Sequence, residues 1–358
     1  MENPRCLEIF LESCKSQVTR RGYLFQLNKF LTWAKKDYES VLFLEKTELT
    51  DLLVDYTLYL KKRVLSNSIP GYLAGTFKFL EMNDREFNKR KIRQLYGEKR
   101  KRAGGRPITN NEINEIIRVV DSEKNHALIQ VLASTGCRPE GLSELKMKHI
   151  ESIGQGCLSL LIYAGSTHEH HVFLHKVASD SLRRYHKSRE LKGEKLESET
   201  PVFSAERRLA SLPVKAIHST TISGIVSDLM SKARIKRVKV NSKNYDLASC
   251  GSFRKRFNTI LKSNAEIPYA VAEKLMDHSN YLEKHYFKTS REDMFSHFVK
   301  AIPELIFEES ERQKVEIAEL HAEKSELEQK NNELEMMKDE IRKIKQKVDI
   351  QEKFNKVD

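Results

Sequence analysis

Apolar side chains in this chain recur three and four positions apart over most of its length, which commits it to helices packed on helices. Leu24, Leu27 and Leu31, then Leu49, Leu52, Leu53, Tyr56 and Leu60, each mark one face of a helix. Residues from about 5 to 92 contain few strand-like runs and predict a small all-helical domain. The segment Ser66-Asn67-Ser68-Ile69-Pro70-Gly71-Tyr72 interrupts it, and the helix that follows ends in basic sequence.

That basic run extends from Lys89 to Arg106. Within it, Lys99-Arg100-Lys101-Arg102-Ala103-Gly104-Gly105-Arg106-Pro107 joins charge to flexible glycines and a helix-breaking proline. Such a composition predicts a linker over 99–107, dividing a helical domain at 1–98 from a second domain at 108–303. A chain of 358 residues has room for both, at roughly 100 to 200 residues per domain. Past the linker, Thr109 stands three positions ahead of Glu112, the pattern of a capping box, so a helix begins there. A second helix is expected over about 125–135. The runs Cys157-Leu158-Ser159-Leu160-Leu161-Ile162-Tyr163 and His171-Val172-Phe173-Leu174 flank a Gly165-Ser166-Thr167 turn and predict a two-stranded hairpin. Helices resume from about 176.

The segment 308–358 differs in kind. Leu320, Leu327, Leu334, Ile341 and Val348 repeat every seven positions, without glycine or proline and among many Glu and Lys, which predicts a coiled-coil helix. The companion seam reads Ile317, Lys324, Asn331, Lys338 and Lys345, so only one seam is consistently apolar; a lone Asn there can select a parallel pair. The alternative is a single charged helix kept solvated by Glu–Lys pairs four apart.

Charge narrows the choice of partner. Lys and Arg number 63 against 51 Asp and Glu, a formal net charge of +12, which favours a polyanion. Lys99, Arg100, Lys101, Arg102 and Arg106 are candidates to run along phosphates, the other reading being a solvated connector. Five cysteines, at 6, 14, 137, 157 and 250, form no CxxC pair and read as free thiols of a reducing interior. No metal site is expected, since His168 and His170 have no evident further ligand. No signal-peptide layout and no apolar run of roughly 18 residues are found, so a cytoplasmic chain without a membrane partner is expected.

Three segments could complete one active site: Thr135-Gly136-Cys137-Arg138-Pro139-Glu140-Gly141-Leu142-Ser143-Glu144-Leu145, Ser252-Phe253-Arg254-Lys255-Arg256-Phe257, and Leu275-Met276-Asp277-His278 followed by Tyr286. Gly136 would end one helix and let Arg138 project from the start of the next. Phe253, Phe257 and Ile260 would pack inward, with the basic residues emerging beside them. Singly, each has an ordinary reading: a salt bridge, a solvated basic face, a capping histidine. Jointly they supply two arginines, a histidine and a tyrosine, with Tyr281 as the rival tyrosine.

In that order and separation the segments resemble the tyrosine recombinases, the phage-integrase family, and in kind the divergent integrases of archaeal viruses and plasmids. Arg138 to Ile150 resembles the family's first arginine box and Phe253 to Phe257 the second. Leu275-Met276-Asp277-His278 is similar to the third, usually Leu-Gly-His, and Tyr286 falls where the nucleophile is expected. The resemblance covers about 5–300. It implies a mainly α fold: a helical core-binding domain and a mostly helical catalytic domain with a small β element, closing as a clamp on double-stranded DNA without a cofactor. It further implies attack by Tyr286 to give a 3′-phosphotyrosine and a free 5′ hydroxyl, Arg138 and Arg254 stabilising the extra phosphate charge and His278 hydrogen-bonding the same phosphate. Recombination on two duplexes implies several protomers, a tetramer on DNA, with the coiled coil as a possible pairing device.

The chain also departs from the family. Gly251 stands where a histidine or lysine usually opens the second box, and Lys255 is a candidate to supply the charge; Arg256 is expected on DNA. Gly141 stands where an acid usually follows the first arginine, leaving Glu140 or Glu144 to take over. The hairpin turn, Ala164-Gly165-Ser166-Thr167-His168-Glu169-His170-His171, lacks the usual general-acid lysine, and His168 or His170 is the candidate replacement. These departures keep two other functions open, a decayed recombinase that only binds DNA and a type IB topoisomerase-like strand transferase.

Overall fold

The computed structural model describes residues 4–98, 105–206, 213–240, 245–278 and 289–354. The chain divides into two compact units, Met1–Arg102 and Ala103–Asp358.

The first unit is helical: α1 (Arg5–Glu12), α2 (Gln17–Ala34), α3 (Lys46–Lys61), α4 (Ile69–Met82) and α5 (Lys89–Gln94). Its helix starts are set locally. The Ser16 hydroxyl accepts from Thr19 N at 3.1 Å, Asn88 Oδ1 accepts from Lys91 N at 2.9 Å, and Pro70 sits in the first turn of α4, where a missing N–H costs nothing. Phe10, Leu27, Phe30, Leu49, Leu53, Leu73 and Phe79 are fully buried, each contributing about 1.5–3 kcal/mol of transfer free energy. α2 and α4 meet backbone to backbone at Gly75, where an added Cβ would lie 2.2 Å from the Tyr23 carbonyl oxygen.

The second unit is built around α7 (Glu123–Thr135), buried continuously from Ala127 to Thr135. Ahead of it, α6 (Asn110–Arg118) starts with Thr109 and Glu112 each accepting the other's backbone N–H, the expected capping box. After it come α8 (Pro139–Ser143), α9 (Lys176–Leu191), α10 (Ser219–Lys232), α11 (Ser249–Ser263), α12 (Tyr269–Leu275), α13 (Arg291–Val299), α14 (Ile302–Leu305) and α15 (Glu309–Phe354).

Between α8 and α9 lies an antiparallel sheet in the order β1 (Ile150–Gly154), β2 (Cys157–Ile162), β3 (His170–Leu174). The expected hairpin is β2–β3, with Leu160 opposite Val172 and Ile162 opposite His170. β1 is a third strand that the sequence did not announce. Alternation along the strands sends Leu158, Leu160, Ile162, Val172 and Leu174 to the core around α7. Cys157 and Phe173 turn to a second core with Phe257, Leu261, Leu275 and Phe298. The hairpin is therefore anchored on both faces, which fixes where its turn lies.

Two arginines are structural. Arg189 pairs with Glu194 at 2.5 Å and donates to the Pro201 and Val202 carbonyls, all in the interior. Arg256, expected on DNA, is only 5% exposed. Its guanidinium donates to Asn110 Oδ1, to the Glu304 and Leu305 carbonyls at the end of α14, and to Ala133 O in α7. It is committed to the core and has no free edge for a phosphate.

The last helix, α15, is 46 residues long, about 69 Å at 1.5 Å per residue. Ile317, Leu320, Leu327, Leu334 and Ile341 are each more than half exposed along it. Charged pairs one turn apart, among them Arg312 with Glu309 and Lys314 with Glu311, line its start. No helix among the described residues is long and apolar enough to cross a membrane.

Candidate active site

The end of α7 places the first arginine. Gly136 takes φ +58°, and a Cβ there would sit 2.8 Å from Phe257 Cβ and 3.1 Å from Arg254 Cα. Glycine is thus demanded twice, by the left-handed backbone and by the approach of α11. Cys137 follows into the core, and Arg138 takes the N-cap position of α8 with its side chain 40% exposed.

Arg254, on α11, ties two helix ends together. It donates from Nη1 to Gly136 O at 3.1 Å, one of the carbonyls left open at the end of α7, and from Nη2 to Met276 O at the end of α12. The same Nη2 meets His278 Nε2 at 3.0 Å. A guanidinium only donates, so His278 accepts through Nε2 and carries its proton on Nδ1, on the side of Glu273 Oε1 at 3.7 Å. Burial, then the Arg254 charge, lowers the His278 pKa and keeps the ring neutral. Burial, then the nearby Arg138, lowers that of Arg254.

His278 is placed by the way α12 ends. His278 N donates to Glu273 O at 3.0 Å and Asp277 N to Lys274 O at 3.1 Å, the paired closing bonds of a Schellman motif. Asp277 occupies its left-handed position, φ +49°, usually a glycine's. Its side chain is 5% exposed, and Oδ2 accepts from Arg138 Nη1 at 3.3 Å and from His168 Nδ1 at 3.1 Å.

His168 belongs to the β2–β3 turn, which Gly165 N closes by donating to Glu169 Oε2 at 2.6 Å. His170 Nδ1 donates to His168 O at 2.7 Å; burial lowers its pKa, against the raising effects of that bond and of Asp277. The turn thus reaches the arginine box through His168, with His170 bracing its backbone.

Other expected site residues lie elsewhere. Glu140 and Glu144 are exposed on α8. Gly141 is closed to an acid, since a Cβ there would lie 2.6 Å from Ile162 Cγ2. Lys255 donates from Nζ to Gly105 O at 2.6 Å, holding the chain where it enters the second unit. Arg106, expected on phosphates, is instead gripped by both Glu112 oxygens at 2.8 and 2.6 Å and by Asp246 at 3.3 Å, neighbours too distant in sequence or too local in role to be foreseen as its partners. Lys99, Arg100, Lys101, Arg102, Tyr281 and Tyr286 lie outside the described residues. Asp277 was quoted in the sequence only as a misfit for glycine; its residue type, tolerant of positive φ and charged, was the available signal. No group of three or more His, Cys, Asp or Glu suited to a metal ion occurs among the described residues.

The fold and this cluster of two arginines with a histidine define an enzyme of DNA strand breakage and rejoining. The model of the phage integrase family matches residues 106–292, just over half of the chain, and the protein belongs to that family of tyrosine site-specific recombinases. A search of the curated proteins found no match. Among solved structures, the chain is similar to XerH site-specific recombinase bound to difH substrate in a pre-cleavage complex. Identity is 15% and the TM-score 0.53, covering 79% of this chain and 84% of that one. A lambda integrase dimer bound to a COC' core site matches at 15% identity and TM-score 0.51, over 80% and 94% of the two chains. The Tn1549 transposon integrase in complex with circular intermediate DNA matches at 11% and 0.53, over 82% and 99%. At these identities the likeness is one of fold.

Proposed function

We propose that this recombinase binds double-stranded DNA and cuts and rejoins it at specific sites of a mobile element, with Arg138, Arg254 and His278 gripping the scissile phosphate and Tyr286 attacking it. The observation that carries the reading is the convergence of Arg138, Arg254 and His278, from three separate helix ends, through the bonds among Gly136, Met276 and Asp277. Two arginines, always charged, stabilise the added negative charge of five-coordinate phosphorus. A neutral His278, held by Arg254, offers its Nδ1–H to a phosphate oxygen. The tyrosine oxygen conserves the bond energy as a 3′-phosphotyrosine for rejoining, and His168 protonates the leaving 5′ oxygen. A nicked suicide duplex tests the assignment: the wild type should accumulate a covalent adduct, and Tyr286→Phe should abolish it. Adduct formation that survives Tyr286→Phe and is lost in Tyr281→Phe would move the nucleophile.

The unit at Met1–Arg102 is the core-binding domain in this reading, and Ala103 to about 303 the catalytic one. Work on genomic or plasmid DNA puts the enzyme in the cytoplasm. The divergent boxes support an archaeal viral or plasmid origin, which recovery of the gene beside its own attachment site in such an element would test. The exposed heptad stripe of α15 supports pairing of protomers within a tetramer on DNA. Removing residues 308–358 should lower the mass measured by light scattering on DNA; an unchanged mass would remove that role.

A further inference from the structure

Asp277 is a nearly buried carboxylate with a single oxygen held by two cationic or cation-forming side chains from different elements. Burying a carboxylate beside a phosphate site opposes the binding of an anion, so its presence needs a compensating task. The three-residue set carries that compensation: with His168 protonated, Arg138 and His168 outnumber Asp277 and leave one net positive charge facing the phosphate. Sterics point the same way. Gly141 admits no side chain, so no acid can reach Arg138 from α8 at that position, whereas the left-handed end of α12 aims a carboxylate directly at it.

We infer that Asp277 is a positioning residue, whose one oxygen aims Arg138 at the scissile phosphate and turns His168 so that Nε2 faces the leaving 5′ oxygen. The inference rests on the recombinase reading above. In the step it serves, the tyrosine oxygen forms its bond to phosphorus and the P–O5′ bond breaks with its electron pair on O5′. The tyrosine proton passes to water. O5′ takes the Nε2 proton of protonated His168, and the neutral ring keeps Nδ1–H on Asp277. Held in this way, His168 is oriented by a carboxylate through one nitrogen and acts through the other.

The test measures single-turnover cleavage. Covalent capture by the wild type from a library of random-sequence duplexes supplies the site, and a second duplex carries sulfur in place of the bridging 5′ oxygen there, a leaving group that departs without a proton. Asp277→Gly suits the φ of +49° and removes the carboxylate, while Asp277→Asn keeps its shape without charge. On oxygen DNA both should slow cleavage, Asp277→Gly on the order of 100-fold, with DNA affinity and unfolding temperature unchanged. Sulfur DNA should restore His168→Ala almost fully, Asp277→Gly in large part, and Arg138→Ala not at all. Cleavage by Asp277→Gly at the wild-type rate, or a loss that sulfur does not relieve, would overturn the inference while leaving the recombinase reading intact. Failure of the wild type to capture any duplex would overturn both.

Discussion

Arg254 and Arg256 stand two positions apart on α11 and do opposite things. Arg256 is three residues after Phe253 and four before Ile260, so helical spacing puts it on the inward face with them, and that much was legible in the sequence. What was not legible is why a charge is tolerated there: Asn110 and the α14 carbonyls come from segments far along the chain and meet only in the folded core. Burial pushes the Arg256 pKa down to about 10, still charged at neutral pH. Arg256→Met should cost roughly 3 kcal/mol in denaturant unfolding by stranding those acceptors, yet leave the salt dependence of DNA binding unchanged. A shallower salt slope with unchanged stability would return Arg256 to the DNA. His175, capping α9 by accepting from Ala178 N, is also wholly buried, and burial, then Arg256, lowers its pKa to about 3. Because the unfolded chain binds this proton near pH 6.5 and the folded one does not, His175 supports stability above pH 6.5 and withdraws that support as pH falls toward 3. The unfolding midpoint should drop between pH 7.5 and 5, and His175→Asn, which keeps a capping side chain, should flatten that drop. An undiminished drop in the variant would place the pH sensitivity elsewhere.

Element ends were the most legible part of the fold because capping is local. Thr109 with Glu112 marked the start of α6, and Gly136 the end of α7. β1 was not legible: Ile150-Glu151-Ser152-Ile153-Gly154 is short and half polar, and becomes a strand only because β2 offers it an edge. The Asp277 contact was hidden for a related reason. Its left-handed position is a property of how α12 closes, and its partners lie 139 and 109 residues away. Close approach of elements was equally silent. Gly75 reads as a mild helix-weakening residue, yet it lets α4 lie on the α2 backbone. Gly75→Ala should therefore destabilise the first unit by about 1–3 kcal/mol despite alanine's better helix propensity, measured on the full chain by urea unfolding. A stabilised variant would show that the two helices can part without cost.

Across the whole molecule, function depends on bringing distant boxes together, and the three that the structure describes do meet: Arg138 from the end of α7, Arg254 from α11 and His278 from the end of α12. The order of the boxes was readable in the sequence, while the bonds that join them, through Gly136 O, Met276 O and Asp277, were not, because each is made by folding alone. The claim on which everything turns is that this cluster serves a tyrosine that becomes covalently linked to DNA. The most direct measurement is to trap the wild type on a nicked suicide duplex, digest protein and DNA, and read the modified peptide by mass spectrometry. A 3′-phosphonucleotide on Tyr286, absent when Arg138 or Arg254 is replaced by alanine, is the expected result. A nucleotide on any other residue, or an adduct that forms without either arginine, would contradict it.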